Sequence, residues 1–232
     1  MVTTCEAMKL TKNTMEILKN FASINSNILV KTGNVLTTVS PMKNMMGKAV
    51  IEDTFNMEFG IWDLNKFLGT ISLFKDPYLT FEENRVVISN ESNTSRVVYY
   101  YSEPSLLTTV NRDVNMPESV LNFELTESEM TELMKASSVL QLPDLKITNS
   151  EEGDEILLVL TDKGDVTSNT YTITTVGDST VSSYSFYYKV ENFKILPGAY
   201  SVEISDKAVS KFSSKSDDLT YWIALESDSS SE

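Results

Sequence analysis

Histidine is absent from this chain of 232 residues. Its absence removes the Ser-His-Asp and Cys-His nucleophile systems and the usual zinc and non-haem iron sites, all of which rely on an imidazole. Cysteine is nearly as scarce. Cys5 stands alone in a leading segment with little pattern, so no disulfide framework exists and a reducing cytoplasm suits the chain. With only eight glycines there is no GxGxxG to bring backbone close to a pyrophosphate. Gly47-Lys48 does not form a Walker A sequence, because Ala49 follows with a methyl group that cannot ligate magnesium and Met42 stands where the loop's first glycine belongs. No apolar run approaches the roughly 20 residues that cross a bilayer, and Met1 to Leu10 has no signal-peptide core. The reading is a soluble protein that is not exported, so the sequons at Asn90 and Asn93 mark only a polar loop. Carboxylate pairs such as Asp217-Asp218 and Glu82-Glu83 sit in turn-like stretches, where solvated charge explains them better than acid-base chemistry.

What the chain does have is an internal repeat. Four stretches follow one plan: strand, short amphipathic helix, two strands split by a turn, and a closing strand. The helical segments begin near Lys12, Asp63, Glu127 and Val190. Turn chemistry falls at Thr32-Gly33-Asn34, at Glu82 to Arg85, at Asn149 to Asp154 and at Ser205-Asp206-Lys207, which predicts a hairpin in each unit. The closing strands are Ala49 to Phe55, Arg96 to Tyr101, Asn169 to Val176 and Leu219 to Leu225. Four units make two pairs, so the expected fold class is α+β with two similar domains. Residues 1–7 are an N-terminal extension outside the fold, 8–101 form the first domain and 102–119 a connector bracketed by Pro104 and Pro117. Residues 120–225 form the second domain, and 226–232 an acidic tail, disordered and solubilising.

Helical periodicity assigns faces. In the first helix Thr14, Ile17, Leu18 and Phe21 share the core side, and Lys12, Glu16, Lys19 and Ser23 the solvated one. The second, with Asp63 as N-cap, buries Leu64, Phe67, Leu68 and Ile71 and turns Lys66 and Thr70 outward. The third opens on a capping box, Thr126 with Glu129, buries Met130, Leu133, Met134 and Ser137, and leaves Ser128, Thr131, Lys135 and Ser138 on a polar stripe. The fourth, Val190 to Leu196, stops at Pro197-Gly198; Lys194 is assigned outward by equivalence with the other units. A charged outer face also serves simply to keep a helix soluble. Yet lysines recur on equivalent elements of a chain whose formal net charge is -14. Such a surface would neutralise phosphates without reading base sequence, while the remaining acidic surface would repel nucleic acid.

The order of these motifs resembles the DNA polymerase sliding clamps of T-even-like tailed bacteriophages. The resemblance rests on Met8-Lys9-Leu10-Thr11-Lys12-Asn13 followed by Leu18 to Ser26, and on Trp62-Asp63-Leu64-Asn65-Lys66-Phe67-Leu68-Gly69 followed by Ile71-Ser72-Leu73. Leu196-Pro197-Gly198-Ala199-Tyr200 and Ala224 to Asp228 are similar to the family's closing strands, so the likeness spans nearly the whole chain from Met8. It implies two clamp domains of β-α-β-β-β units, helices inside and antiparallel sheets outside, closed as a homotrimeric ring around duplex DNA. It further implies a processivity factor with no catalytic residue, cofactor or metal. Lys12, Lys19 and Lys135 would contact DNA, with Lys66 and Lys194 added by unit equivalence. The third helix departs from the family pattern, having Ser138 where a second basic residue belongs and Glu127, Glu129 and Glu132 nearby. Subunits would join through the strands Arg96 to Tyr101 and Asn169 to Val176, involving Val97, Tyr99, Tyr101, Tyr171 and Ile173. Leu106, Leu107 and Val110 would help line a pocket for partner peptides. Expected partners are the DNA polymerase, an ATP-dependent clamp loader and late-transcription factors, in the cytoplasm of the infected bacterium and away from membranes. The competing reading from composition alone is an acidic, β-rich virion or tail protein without DNA affinity.

Overall fold

The structure, a computed structural model, describes residues 7–110, 114–150 and 155–232. They divide into two units, 1–111 and 112–232.

The first unit begins with β1 (Ala7–Met8) and α1 (Lys12–Ile24), and continues through β2 (Ile28–Val30), β3 (Gly33–Val39), β4 (Met45–Phe55) and β5 (Phe59–Ile61). It ends with α2 (Leu64–Ile71), β6 (Tyr78–Glu82), β7 (Arg85–Ser89) and β8 (Arg96–Tyr100). Strands β1, β6, β7 and β8 form an antiparallel sheet in that order. Helix α1 buries Thr14, Ile17, Leu18 and Phe21 as its periodicity predicts, together with Ala22 and Ile24, and packs on β4 and α2. Gly47 in β4 makes room for this: a Cβ there would lie 2.9 Å from the Phe21 ring. Helix α2 buries Leu64, Phe67, Leu68 and Ile71, again the predicted face.

Two expectations change in this unit. The predicted hairpin around Thr32-Gly33-Asn34 does not form: β2 pairs with β5 and β3 with β4. Gly33 adopts φ 114° at a register shift in the β3–β4 ladder, so its left-handed conformation serves a strand irregularity, not a two-residue turn. Ala7, assigned to an extension outside the fold, pairs with Thr80.

Gly60 binds the start of the connector to this unit. The Ser102 amide donates to the Gly60 carbonyl at 2.9 Å, and a Cβ at position 60 would lie 2.6 Å from both the Ser102 carbonyl oxygen and Leu107 Cδ1. Gly60→Ala is therefore expected to cost about 1–3 kcal/mol, read as a lower denaturant midpoint at unchanged m-value. An unchanged midpoint would contradict this close approach.

The second unit contains β9 (Leu121–Leu125), α3 (Glu127–Leu140), β10 (Asp144–Asn149), β11 (Ile156–Thr161), β12 (Tyr171–Thr175) and β13 (Gly177–Ser179). They are followed by β14 (Tyr184–Lys189), β15 (Tyr200–Ser205), β16 (Val209–Ser214), β17 (Leu219–Ala224) and β18 (Ser230–Ser231). One sheet runs β12-β11-β10-β14-β18, and the strands β13, β9, β15, β16 and β17 pair consecutively in another. Between them lies an aromatic core in which Tyr188, Phe193 and Phe212 meet edge to face.

The predicted fourth helix is replaced by a single 3-10 turn at Val190–Asn192. Phe193 and Ile195 are buried while Lys194 is exposed, an alternation with the period of extended chain. Pro197 follows too closely for another helical turn. The tail is also ordered: Ser230 and Ser231 pair with Ser185 and Tyr184 of β14. The free edge of β14 and the cation of Lys163 hold a segment whose own composition would leave it disordered.

Candidate nucleic-acid interface and sheet edges

The first turn of α1 is held from outside the helix. Thr11 caps it by accepting from the Thr14 amide at 3.2 Å, and Asp53 Oδ2 on β4 accepts from the Thr11 amide at 2.8 Å and its hydroxyl at 3.0 Å. Asp53 therefore orients the turn that displays Lys12. Nothing local in the sequence marks it, since it lies 42 residues from Thr11. Lys12, Glu16, Lys19 and Ser23 are exposed, as predicted. A cation at the first helical position opposes the helix dipole, and α1 has no acidic residue in its first turn to offset it. The local energetics of the helix do not favour Lys12; an external anion would.

On α2, Asp63 Oδ1 caps by accepting from the Lys66 amide at 2.8 Å, leaving the Lys66 side chain exposed. On α3 the capping box forms as predicted, with Glu129 Oε2 accepting from the Thr126 amide at 2.7 Å. Met130, Leu133 and Ser137 are buried and Met134 only half-buried, while Lys135 is exposed. Glu132 accepts from Ser128 at 3.0 Å and from the Tyr171 hydroxyl at 3.2 Å, so carboxylates occupy much of this helix's polar face. Lys194 lies just beyond the 3-10 turn and on no helix.

Ion pairing separates the basic residues into two groups. Arg85, Lys163, Lys189, Lys207, Lys211 and Lys215 are each bound to a carboxylate at 2.5–3.0 Å. Among the described residues, Lys12, Lys19, Lys66 and Lys135 enter no ion pair, and neither do Lys9, Lys31, Lys43, Lys75, Arg96 and Lys146, so what sets the first four apart is their place on the exposed faces of helices. The helix lysines thus keep their charge available to an outside partner. No group of three or more acidic or cysteine side chains among the described residues could hold a metal ion.

The strands expected to join subunits are both sheet edges. β8 ends the sheet of the first unit and β12 the five-stranded sheet of the second. Along β8, Val97 and Tyr99 are half-buried and Val98 and Tyr100 exposed. Tyr99 meets Phe67 edge to face and donates to the Asp63 carbonyl at 3.1 Å, while burial, then the nearby Asp63, pushes its phenol pKa up. Tyr101 stacks on Phe59. Tyr171 and Ile173 are half-buried on β12, as is Thr175, and the strand packs against α3. Trp62, 58% exposed, Lys66 and Thr70 border the β8 edge and share a cavity of about 460 Å³ with Val97 to Ser102.

The connector residues behave differently from one another. Leu106 ends an exposed 3-10 turn, Pro104–Leu106, and Val110 is half-buried. Leu107 is buried over Gly60, where it packs within the first unit.

Solved structures share this architecture. Proliferating cellular nuclear antigen from Entamoeba histolytica superposes with a TM-score of 0.67 at 11% identity, covering 92% of this chain and 94% of that one. The Helicobacter pylori beta clamp bound to a DNA ligase peptide gives 0.64 at 15% identity, covering 94% of this chain and 65% of that one. The fold is the DNA clamp.

Family models narrow the assignment. Residues 9–109 match "DNA polymerase processivity factor" and residues 122–227 match "gp45 sliding clamp, C terminal". The sliding clamp of Vibrio phage KVP40 is 31% identical over 223 residues, 94% of this chain and 99% of that protein. That of Escherichia phage RB69 is 30% identical over 228 residues, 96% and 98% of the two chains, and that of Enterobacteria phage T4 is 28% identical over 229. The chain belongs to the sliding clamps of T4-like phages, processivity factors of DNA polymerase.

Proposed function

We propose that three copies of the chain close into a ring around duplex DNA and tether the replicative polymerase. The unpaired helix lysines carry this reading, since Lys12, Lys19, Lys66 and Lys135 offer phosphates a set of charges that no carboxylate of the chain neutralises. Contact is weak by design of the chemistry. A few mobile ammonium groups exchange phosphates as the ring slides, whereas arginine forks would hold one position. The formal charge of -14 repels DNA elsewhere. Lys194, which is on no helix and makes an interaction within the chain, stands outside that set and is kept only as a proposed further contact. Three chains bring six units together, and the edges β8 and β12 pair head to tail, which removes both exposed edges and closes cyclic symmetry.

Tethering is topological and involves no chemical step. A polymerase held by its peptide on a closed ring stays at high effective concentration at the primer end. Leu106 and Val110 are the available connector residues for such a peptide, with Leu107 supporting them from the core. An ATP-dependent loader opens the ring and late-transcription factors share the peptide site, in the cytoplasm of the infected bacterium. Loader- and ATP-dependent retention on closed circular duplex DNA tests the reading. The acidic virion or tail protein loses ground to the family match over residues 9–109 and 122–227.

A further inference from the structure

The segment 226–232, Glu-Ser-Asp-Ser-Ser-Ser-Glu, lies along β14 without one apolar side chain to anchor it. Its ladder pairs are two, Ser230 with Ser185 and Ser231 with Tyr184. Beyond them, the Glu226 amide donates to the Tyr187 carbonyl at 2.8 Å, the Tyr187 amide donates to the Ser229 hydroxyl at 2.9 Å, the Glu232 carbonyl accepts from the Ser182 amide and hydroxyl and from the Ser183 amide at 2.8–3.1 Å, and the Glu232 amide donates to the Ser183 carbonyl at 2.9 Å. Asp228 is the electrostatic contact: Lys163 Nζ donates to its Oδ2 at 2.8 Å, with the Asp228 side chain still 51% exposed. The same Nζ stands 4.7 Å from the centre of the Tyr187 ring, and Lys146 Nζ stands 5.9 Å from it. Lys189 completes the cationic side but is committed to the buried Asp144, whose second oxygen accepts from the Lys163 amide. The carboxylates near this cradle are Asp144 beneath it and Asp162 and Glu226 around Lys189. The hydrogen bond from Lys163, then its charge, holds the Asp228 carboxyl below its usual range.

We propose that this lysine-tyrosine cradle and the β14 edge form a docking site for an extended acidic segment of a partner protein, and that residues 226–232 are a removable clasp over it. The seated occupant is itself acidic and extended, which states the charge and conformation the site accepts. Strand addition would supply backbone hydrogen bonds, and a partner with apolar side chains at alternate positions would bind more firmly than the clasp, which has none. The half-exposed Asp228–Lys163 pair is weakened by salt, which leaves the backbone bonds at Glu226, Ser230, Ser231 and Glu232 as the contacts an incoming strand must replace.

The test uses a variant ending at Leu225 and a fluorescein-labelled peptide of residues 226–232, read by anisotropy in low salt. Saturable binding is expected, at least about tenfold tighter than to the full chain, whose own clasp competes at high effective concentration. Binding is lost when the same variant carries Lys163→Glu. A folded truncated chain that ignores the peptide, or binds an Asp228→Lys peptide equally well, overturns the proposal. Should truncation prevent folding, Asp228→Lys in the full chain replaces it. The Tyr187 amide is then expected to exchange at least about tenfold faster and the unmodified peptide to bind; unchanged exchange, or faster exchange without peptide binding, overturns the proposal.

Discussion

Val98→Pro is expected to leave the fold intact and abolish the trimer. The Tyr101 amide donates to the Asn84 carbonyl, and the Asn90 amide to the Ser95 carbonyl, on the register that pairs Val98 with Val87. Bonded pairs alternate along an antiparallel ladder, so Val97 and Tyr99 bond inward while the amides of Val98 and Tyr100 point away from β7. Proline at 98 therefore removes only an outward donor, as edge strands tolerate. Across a subunit joint the same change leaves a partner carbonyl unsatisfied, at about 1–3 kcal/mol per interface. Three interfaces multiply the effect to about 3–9 kcal/mol per ring. Sedimentation should show monomers with unchanged far-UV circular dichroism. Intact trimers would remove β8 from the joint.

Lys12→Glu combined with Lys19→Glu is expected to produce the opposite separation: trimers form and loading fails. Both side chains lie on the exposed face of α1, and neither belongs to β8 or β12, so assembly has no reason to change. Each chain loses four units of positive charge and a trimer loses twelve, all of them where phosphates would sit. Retention on circular DNA should fall by at least about tenfold, and what remains should show a shallower dependence on salt, because fewer counterions are released. Lys207→Glu combined with Lys211→Glu is the charge-matched control, since both lysines are bound to carboxylates, at 3.0 and 2.7 Å, and stand outside the helices. Loading by the double mutant at the level of the unmodified protein would remove α1 from the DNA contact.

Much of this was legible before the structure. The faces of α1 and α2 follow from the spacing of Ile17, Leu18 and Phe21 and of Leu64, Phe67, Leu68 and Ile71, because helical period and burial are coupled locally. The capping box at Thr126 and Glu129 was readable for the same reason. The errors arise where distant groups decide. Gly33 looks like a hairpin turn until β4 and β5 are available as partners for β3 and β2. Phe193 and Ile195, two residues apart, have the spacing of extended chain, but the segment before Pro197 is too short for that spacing to decide alone, and the aromatic core of the second unit settles it. The tail reads as disordered until Lys163 and the β14 edge are placed beside it. Lys12, Lys19, Lys66 and Lys135 could be named from sequence, but their freedom from ion pairs could not, because pairing depends on which carboxylates the fold brings near. Asp53 was invisible for the same reason.

Retention by ring topology is tested by a single cut in the DNA. Load the protein onto a closed duplex circle with loader and ATP, remove both, and follow bound protein before and after a single cut in the DNA. Sliding predicts stable retention on the intact circle and prompt loss from the cut ends, with retention restored when the ends are blocked by bulky proteins. Equal retention on the circle and on linear DNA with free ends would contradict it.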